Sequence, residues 1–186
     1  MTNIKFLKKY DISKIKSIVL SLPEHMWEED VSRQNTFFVH KNTKTIFNTD
    51  FPNDWEGGNY PLKKYLLPQD LQTEIDYYIK DLEKEYNGKV GKSMLVSLNP
   101  ESFIYPHIDS GLYLTKCFRC HIPILTNELV HFFAGNDWVM LDEGDSFELN
   151  NQAVHSVVNY SQTPRIHLII DIIPKALCGP LSDQEK

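Results

Sequence analysis

A chain of 186 residues that is 41% hydrophobic and 12% aromatic has enough apolar material for one domain with its own core, and too much for extended disorder. Its net charge of −6, with no Lys/Arg run interleaved with aromatics, excludes the basic face that a nucleic-acid backbone needs. No segment approaches the roughly 20 apolar residues of a membrane span, and MTNIKFLKKYDISKIKSIVL is broken by charges every few residues, so the expectation is a cytoplasmic protein with neither membrane nor nucleic-acid partners.

In chain order, Asp11 is placed to start a short helix, ISKIKSIVLSL, with apolar residues at 12, 15, 18, 19 and 22, ending at Pro23. RQNTFFVHKNTKTIF reads as a hairpin about Asn42 and Thr43, with arms Thr36 to Val39 and Thr45 to Phe47. FPNDWEGGNYP is a loop. A longer helix follows Pro68, with Leu71, Ile75, Tyr78, Ile79, Leu82 and Tyr86 on one stripe, and stops at Asn87-Gly88. From residue 90 the period changes to 2. Strands read at 91–98, 102–107, 116–125, 128–133, 137–141, 145–149, 153–159 and 165–173, separated by Pro, Gly, Asn or Asp. Eight short strands without an intervening helix predict a double-sheet jelly roll over 90–175, preceded by helices and hairpin in 1–89. The whole of 1–186 is expected to be one domain, mainly β with flanking helices, with only GPLSDQEK reading as a loose tail.

The three cysteines do not suggest a disulfide framework. Cys117 and Cys120, in CFRC, fall on opposite faces of a strand-like run and read as small core residues rather than a redox or zinc pair.

YPHIDSG carries the chemistry. His107 and Asp109, two apart in an extended segment, share a face, while Ile108 is expected to face the packed layer. His155 lies 46 residues beyond Asp109, far enough for the chain to return beside its starting strand. Two histidines and a carboxylate on neighbouring strands match the facial triad of non-haem Fe(II) oxygenases. Each residue alone is a weak signal, since a lone strand histidine is more often a hydrogen-bonded core residue. What strengthens the set is Arg165, ten residues after His155, heading the apolar strand RIHLIIDII together with His167. An inward arginine in such a strand needs an anion, and a bound dicarboxylate would supply one through the guanidinium fork. In KCFRCHIPIL, Arg119 and His121 share a second inward face, while Phe118, Cys120, Ile122 and Ile124 share the other.

The run from PHIDSG through FRCHIPI, EGDSFELNNQAVHSVVN and RIHLIID resembles the aspartyl/asparaginyl β-hydroxylase family of Fe(II)/2-oxoglutarate dioxygenases, including bacterial proline hydroxylase-like members. The resemblance covers about residues 90 to 173, with a weaker echo upstream in Arg33, His40 and Thr45. It implies a double-stranded β-helix, the cupin-like jelly roll. It implies Fe(II), 2-oxoglutarate and O2 as cofactors, with His107, Asp109 and His155 as iron ligands and catalytic centre. Arg165 would hold the distal carboxylate of 2-oxoglutarate, and Arg119 and His121 would match the family's Arg-x-His of the co-substrate site. Two departures stand out. The serine often found on the preceding strand falls in register with Val96, and His167 takes a position where related oxygenases often carry serine.

The implied reaction is hydroxylation of an amino acid, peptide or protein side chain with release of succinate and CO2, the substrate expected to be small and amino-acid-like. The SGLYLTK loop, the upstream hairpin and the DWEGGNY loop are the expected lid, and Arg33, His40, Trp55, Tyr113 and Lys116 the candidate substrate contacts, with Asp54 or Glu56 facing a substrate ammonium. The rival class is a non-catalytic cupin-like module that binds a metal or small acid. It would keep the histidines and have no use for a buried arginine ten residues beyond the last. A metal-free jelly-roll adaptor is a third possibility. No oligomeric state follows from the sequence.

Overall fold

A computed structural model of the chain describes residues 2–179, so the tail beyond Gly179 lies outside the described residues. Eleven strands in this span pair in antiparallel fashion. They are β1 (Ile4–Lys9), β2 (Thr43–Asp50), β3 (Lys63–Lys64), β4 (Gly88–Leu98), β5 (Ser102–His107), β6 (Phe118–Leu125), β7 (Val130–Ala134), β8 (Asp137–Val139), β9 (Asp145–Leu149), β10 (His155–Asn159) and β11 (Arg165–Pro174). A seven-stranded sheet runs β1-β9-β6-β11-β4-β2-β3 and a four-stranded sheet β5-β10-β7-β8. Leu98, Phe147 and Leu149 of the larger sheet pack with Ile104, Val130, Phe132 and Val157 of the smaller, making the inner core of a jelly roll.

Two helices, α1 (Ser13–Ser21) and α3 (Gln69–Glu85), cover the outside of the larger sheet. Asp11 accepts hydrogen bonds from the Ser13 backbone N–H and hydroxyl at the start of α1. α3 buries Leu71, Ile75, Tyr78, Ile79 and Leu82 and ends where Asn87 takes a left-handed φ of 43°, turning the chain into β4. β11 is buried throughout, yet its two faces go to different places. Ile166, Leu168, Ile170 and Ile172 pack under the helices, while Arg165, His167, Ile169 and Asp171 alternate with them and face between the sheets. No helix among the described residues is long and apolar enough to cross a membrane.

Strands expected at 102–107 and 145–149 have those bounds, and the other six lie within about three residues of theirs. The upstream hairpin does not form. Its first arm, Thr36 to Val39, falls on the end of a helical turn, α2 (Ser32–Thr36), and on the 3-10 turn at Phe38–His40 that follows, and only the second arm becomes a strand, β2. Asp30 accepts the Ser32 N–H at 2.9 Å and starts the turn, and the Gln34 amide donates to the Thr43 carbonyl, so local polar bonds override the β preference of Phe37 to Val39. β1 was not expected because its lysines interrupt the apolar pattern. Those lysines suit the edge strand it is, paired among the described residues with β9 alone.

Candidate metal and co-substrate site

β5 and β10 are neighbours, and His107 and His155 are direct partners across them, with ring centroids 4.3 Å apart. A bulge at Tyr105–Pro106 sets the face of His107. From His155 to Val157 on β10 is two residues, whereas their partners His107 and Ile104 on β5 are three apart. Proline cannot donate to the ladder and is at home in a bulge, and the extra residue lets Ile104 and His107 both point inward. The same irregularity corrects one expectation. Asp109 lies just past the end of the strand, and Ile108 is 49% exposed at the cavity mouth rather than packed in a core.

Each histidine has its tautomer fixed. His107 Nδ1 lies 2.8 Å from the Tyr105 carbonyl and His155 Nδ1 2.9 Å from that of Ala153. A carbonyl only accepts, so both Nδ1 atoms carry the proton and both Nε2 atoms present lone pairs. These Nε2 atoms stand 3.7 and 3.8 Å from Asp109 Oδ1, and the three donor atoms lie within 4.8 Å of one another. Those separations are too long for hydrogen bonds, and they bring two imidazole nitrogens and a carboxylate oxygen to one point. This donor set suits Fe(II) with open positions, and carbonyl-anchored Nδ1 atoms are the usual partners behind metal-binding histidines. Burial lowers the His155 pKa and keeps the ring neutral. Burial would raise the Asp109 pKa, yet the Arg119 guanidinium and then the two imidazoles bring it below the ordinary value.

Arg119 is the main departure from the expected roles. Instead of offering a free guanidinium to the co-substrate, it donates from Nη1 to Asp109 Oδ2 at 2.5 Å and forks onto Asp171 from Nε and Nη2 at 2.8 Å each. The register dictates this, since Asp171 of β11 lies directly opposite Arg119 of β6. Sequence reasoning missed Asp171, although an acid at the same parity as Arg165 and His167 in a strand of isoleucines was a usable signal.

Arg165 is 1% exposed and has no carboxylate partner among the described residues. Its Nη2 donates to His167 Nδ1 at 3.0 Å, and its Nε has no hydrogen-bond partner among the described residues. Burial, with the Arg33 charge adding, pulls its pKa down to about 9. His121 stacks on Phe147, touches His167 across 3.4 Å between their Nδ1 atoms, and leaves its Nε2 buried and unpartnered. Burial drives both imidazoles well below the ordinary histidine pKa, so neither competes as a cation. Val96 occupies the inward position in register with His167, and Thr45 sits opposite Val96 on β2 with a buried hydroxyl that lacks a partner among the described residues. Orphaned buried groups of this kind are costly unless something arrives to meet them. Two of them donate, which fits a carboxylate.

His107, Asp109, His155, Arg119, His121 and Arg165 thus line one inner chamber of about 30 Å³, which opens toward an outer cavity of about 440 Å³. Arg33 and His40 border both. Arg33 donates to His40 Nε2 at 3.1 Å, and the His40 ring meets His107 edge-on at 5.1 Å. The other three substrate candidates do not reach the cavity. Trp55 and Tyr113 are buried against Phe51, with the indole N–H on the Asn59 carbonyl and the phenol on Asp171, and Lys116 is not on the lining. Asp54 and Glu56 are exposed and off the wall as well. The wall instead presents Lys92 bonded to Asn53 at 2.7 Å and paired with Asp50 at 3.2 Å, a group with no sequence signal because strand bulges bring it there.

Residues 63–174 match the family model for aspartyl/asparaginyl beta-hydroxylase, a span that contains every residue of the inner chamber except Arg33 and His40. Among solved structures, an oxidoreductase of the 2OG-Fe(II) oxygenase family from Burkholderia pseudomallei aligns with a TM-score of 0.64 at 11% identity, covering 97% of this chain and 88% of that one. A viral collagen prolyl hydroxylase from Paramecium bursaria Chlorella virus-1, solved with 2OG, gives 0.58 at 8% identity over 92% and 96%. A prolyl hydroxylase from Trichoplax adhaerens, in complex with a hypoxia inducible factor peptide fragment, gives 0.58 at 12% over 94% and 84%. At these identities the likeness is one of fold.

Proposed function

The chain belongs to the aspartyl/asparaginyl β-hydroxylase family, and on that premise we propose that His107, Asp109 and His155 hold Fe(II), that Arg165 holds the far carboxylate of 2-oxoglutarate, and that the substrate is a small amino acid seated in the outer cavity. The observation that carries the reading is Arg165: a guanidinium buried without a carboxylate partner among the described residues, on the chamber into which both Nε2 lone pairs point. A module that held only a metal would have no use for that uncompensated charge. The orphaned Thr45 hydroxyl, on the same inward face, takes the place of the serine that Val96 lacks.

Fe(II) held by His107, Asp109 and His155, with 2-oxoglutarate and O2, would supply the oxidising power that converts 2-oxoglutarate to succinate and CO2 and inserts one oxygen atom into a substrate C–H bond. The chain itself positions and encloses. The Tyr105 and Ala153 carbonyls hold the imidazoles with their lone pairs inward, and Arg119 neutralises the Asp109 oxygen that faces away from them. Val96, Ile104, Phe132, Val157 and Ile169 make the rest of the chamber wall apolar, which strengthens the charge contacts within it.

At the mouth, Arg33 is a second guanidinium with no carboxylate partner among the described residues, its pKa drawn down to about 10 by burial and then by Arg119. It suits the carboxylate of a free amino acid, with Asp50 the acid on the cavity wall for the ammonium. A 440 Å³ cavity is of the size that encloses a small ligand. The test is 2-oxoglutarate turnover with Fe(II), read as succinate, against free amino acids, their methyl esters and short peptides. Stimulation by a free amino acid that is lost on esterification supports the reading. Stimulation by peptides or proteins alone overturns the small-substrate part.

A further inference from the structure

The roles proposed above give no part to Asp171, yet this carboxylate has no exposed surface and lies within a continuous polar chain from Tyr113 to Asp109. The Tyr113 hydroxyl donates to its Oδ2 at 3.1 Å, both its oxygens receive the Arg119 fork at 2.8 Å, and Arg119 in turn grips Asp109 Oδ2 at 2.5 Å. The chain is built at some expense. Gly91 is required where it passes, because a Cβ there would fall 2.1 Å from the Tyr113 hydroxyl, which also accepts the Lys92 backbone N–H at 2.8 Å.

We propose that Asp171 is a positioning residue for the metal, with Tyr113 as its support. Two physical effects carry this. The first is orientation. A guanidinium left alone with one carboxylate prefers to engage both its oxygens. Asp171 takes the Nε and Nη2 edge and so fixes how the guanidinium is turned; in that pose Nη1 alone bonds Asp109, at Oδ2, which leaves Oδ1 turned toward the two imidazoles. The second is charge. Asp109 and Arg119 by themselves cancel, and a divalent cation would meet a neutral pair. With Asp171 the trio carries one net negative charge in a dry interior, where that charge acts strongly on a cation.

This inference rests on the reading of the triad as a metal site, and the experiment separates the two. Metal-free protein is titrated with Co(II), whose ligand-field absorption reports coordination directly, at a temperature where circular dichroism shows each variant folded. The parent binds one Co(II). Asp171→Asn, which keeps size and hydrogen-bonding reach and removes the charge, binds about 10- to 100-fold more weakly with an altered spectrum, as partners behind metal ligands typically do. Tyr113→Phe, which removes only the supporting hydroxyl, shows a smaller shift in the same direction and serves if Asp171→Asn does not fold. Leu168→Ala, on the same strand but facing the helices, lowers the melting temperature without moving metal affinity or spectrum. A parent that takes up no Co(II) overturns the metal reading itself. A parent that binds while folded Asp171→Asn, or folded Tyr113→Phe in its stead, binds equally tightly with an unchanged spectrum overturns the positioning role alone.

Discussion

Replacing Arg165 with methionine should move stability and co-substrate binding in opposite directions. The guanidinium is 1% exposed, lacks a carboxylate partner among the described residues, and has its pKa drawn down to about 9 by burial and the Arg33 charge. At neutral pH the group is protonated in both folded and unfolded chains, so a lowered pKa is a cost to the fold. At about 1.4 kcal/mol per tenfold it amounts to no more than about 5 kcal/mol, and it relaxes only as pH rises above 9, where the folded form sheds the proton first. Methionine removes the charge but loses the hydrogen bond to His167 and part of the packing. A net gain of about 1–4 kcal/mol follows, or roughly 3 to 12 °C in melting temperature for a chain of this size. The co-substrate meanwhile loses two charge-assisted hydrogen bonds of about 1.5–3 kcal/mol each, a weakening of about 10²- to 10⁴-fold. Thermal unfolding of the metal-free protein gives the first quantity, and calorimetric titration with 2-oxoglutarate in the presence of Mn(II) the second. A lowered melting temperature with unchanged 2-oxoglutarate affinity would make Arg165 a structural residue and refute the reasoning.

His107→Ala and His155→Ala each remove a ligand, and both should lose stoichiometric iron and turnover by metal analysis while keeping the parent's circular dichroism, since the inner core and the helical layer do not depend on them. Arg33→Met should raise the KM for the amino-acid substrate by about 10- to 100-fold with 2-oxoglutarate affinity little changed, a split that steady-state kinetics with each reactant varied in turn reads directly. Thr45→Val should weaken 2-oxoglutarate about tenfold by titration while leaving the metal-free protein as stable or more so, because the hydroxyl it removes has no partner there. Gly91→Ala should cost about 1–3 kcal/mol in denaturant unfolding, because its methyl group meets the buried Tyr113 hydroxyl.

The sheet strands were legible because from residue 90 on they alternate cleanly between short punctuating turns, and because β11 is long and apolar enough to show one inward parity for Arg165 and His167. The triad was legible for the same reason, since parity places His107 and Asp109 and the length of the return places His155. What escaped was set by irregularity. The Tyr105–Pro106 bulge turned Ile108 out to solvent, and the Asp30–Ser32 contact converted the first arm of a hairpin into a helical turn. Trp55 and Tyr113 carry polar atoms that suggested a binding wall, yet those atoms bond the Asn59 carbonyl and Asp171 within a local apolar cluster. The role of Arg119 depends on a cross-strand partner, Asp171, that lies 52 residues away and becomes its neighbour only through register.

Fe(II) held at this triad beside Arg165 would couple oxidation of 2-oxoglutarate by O2 to oxidation of a substrate, and labelled oxygen tests that coupling most directly. The protein is loaded with Fe(II), given 2-oxoglutarate and the amino acid that most stimulates succinate release, and reacted under ¹⁸O₂, with both products weighed by mass spectrometry. One labelled oxygen atom in succinate and one in a hydroxylated substrate, both absent in His155→Ala, is the predicted result. Stoichiometric Fe(II) binding with 2-oxoglutarate recovered unchanged across amino acids, peptides and proteins would contradict it and leave a site that binds without oxidising.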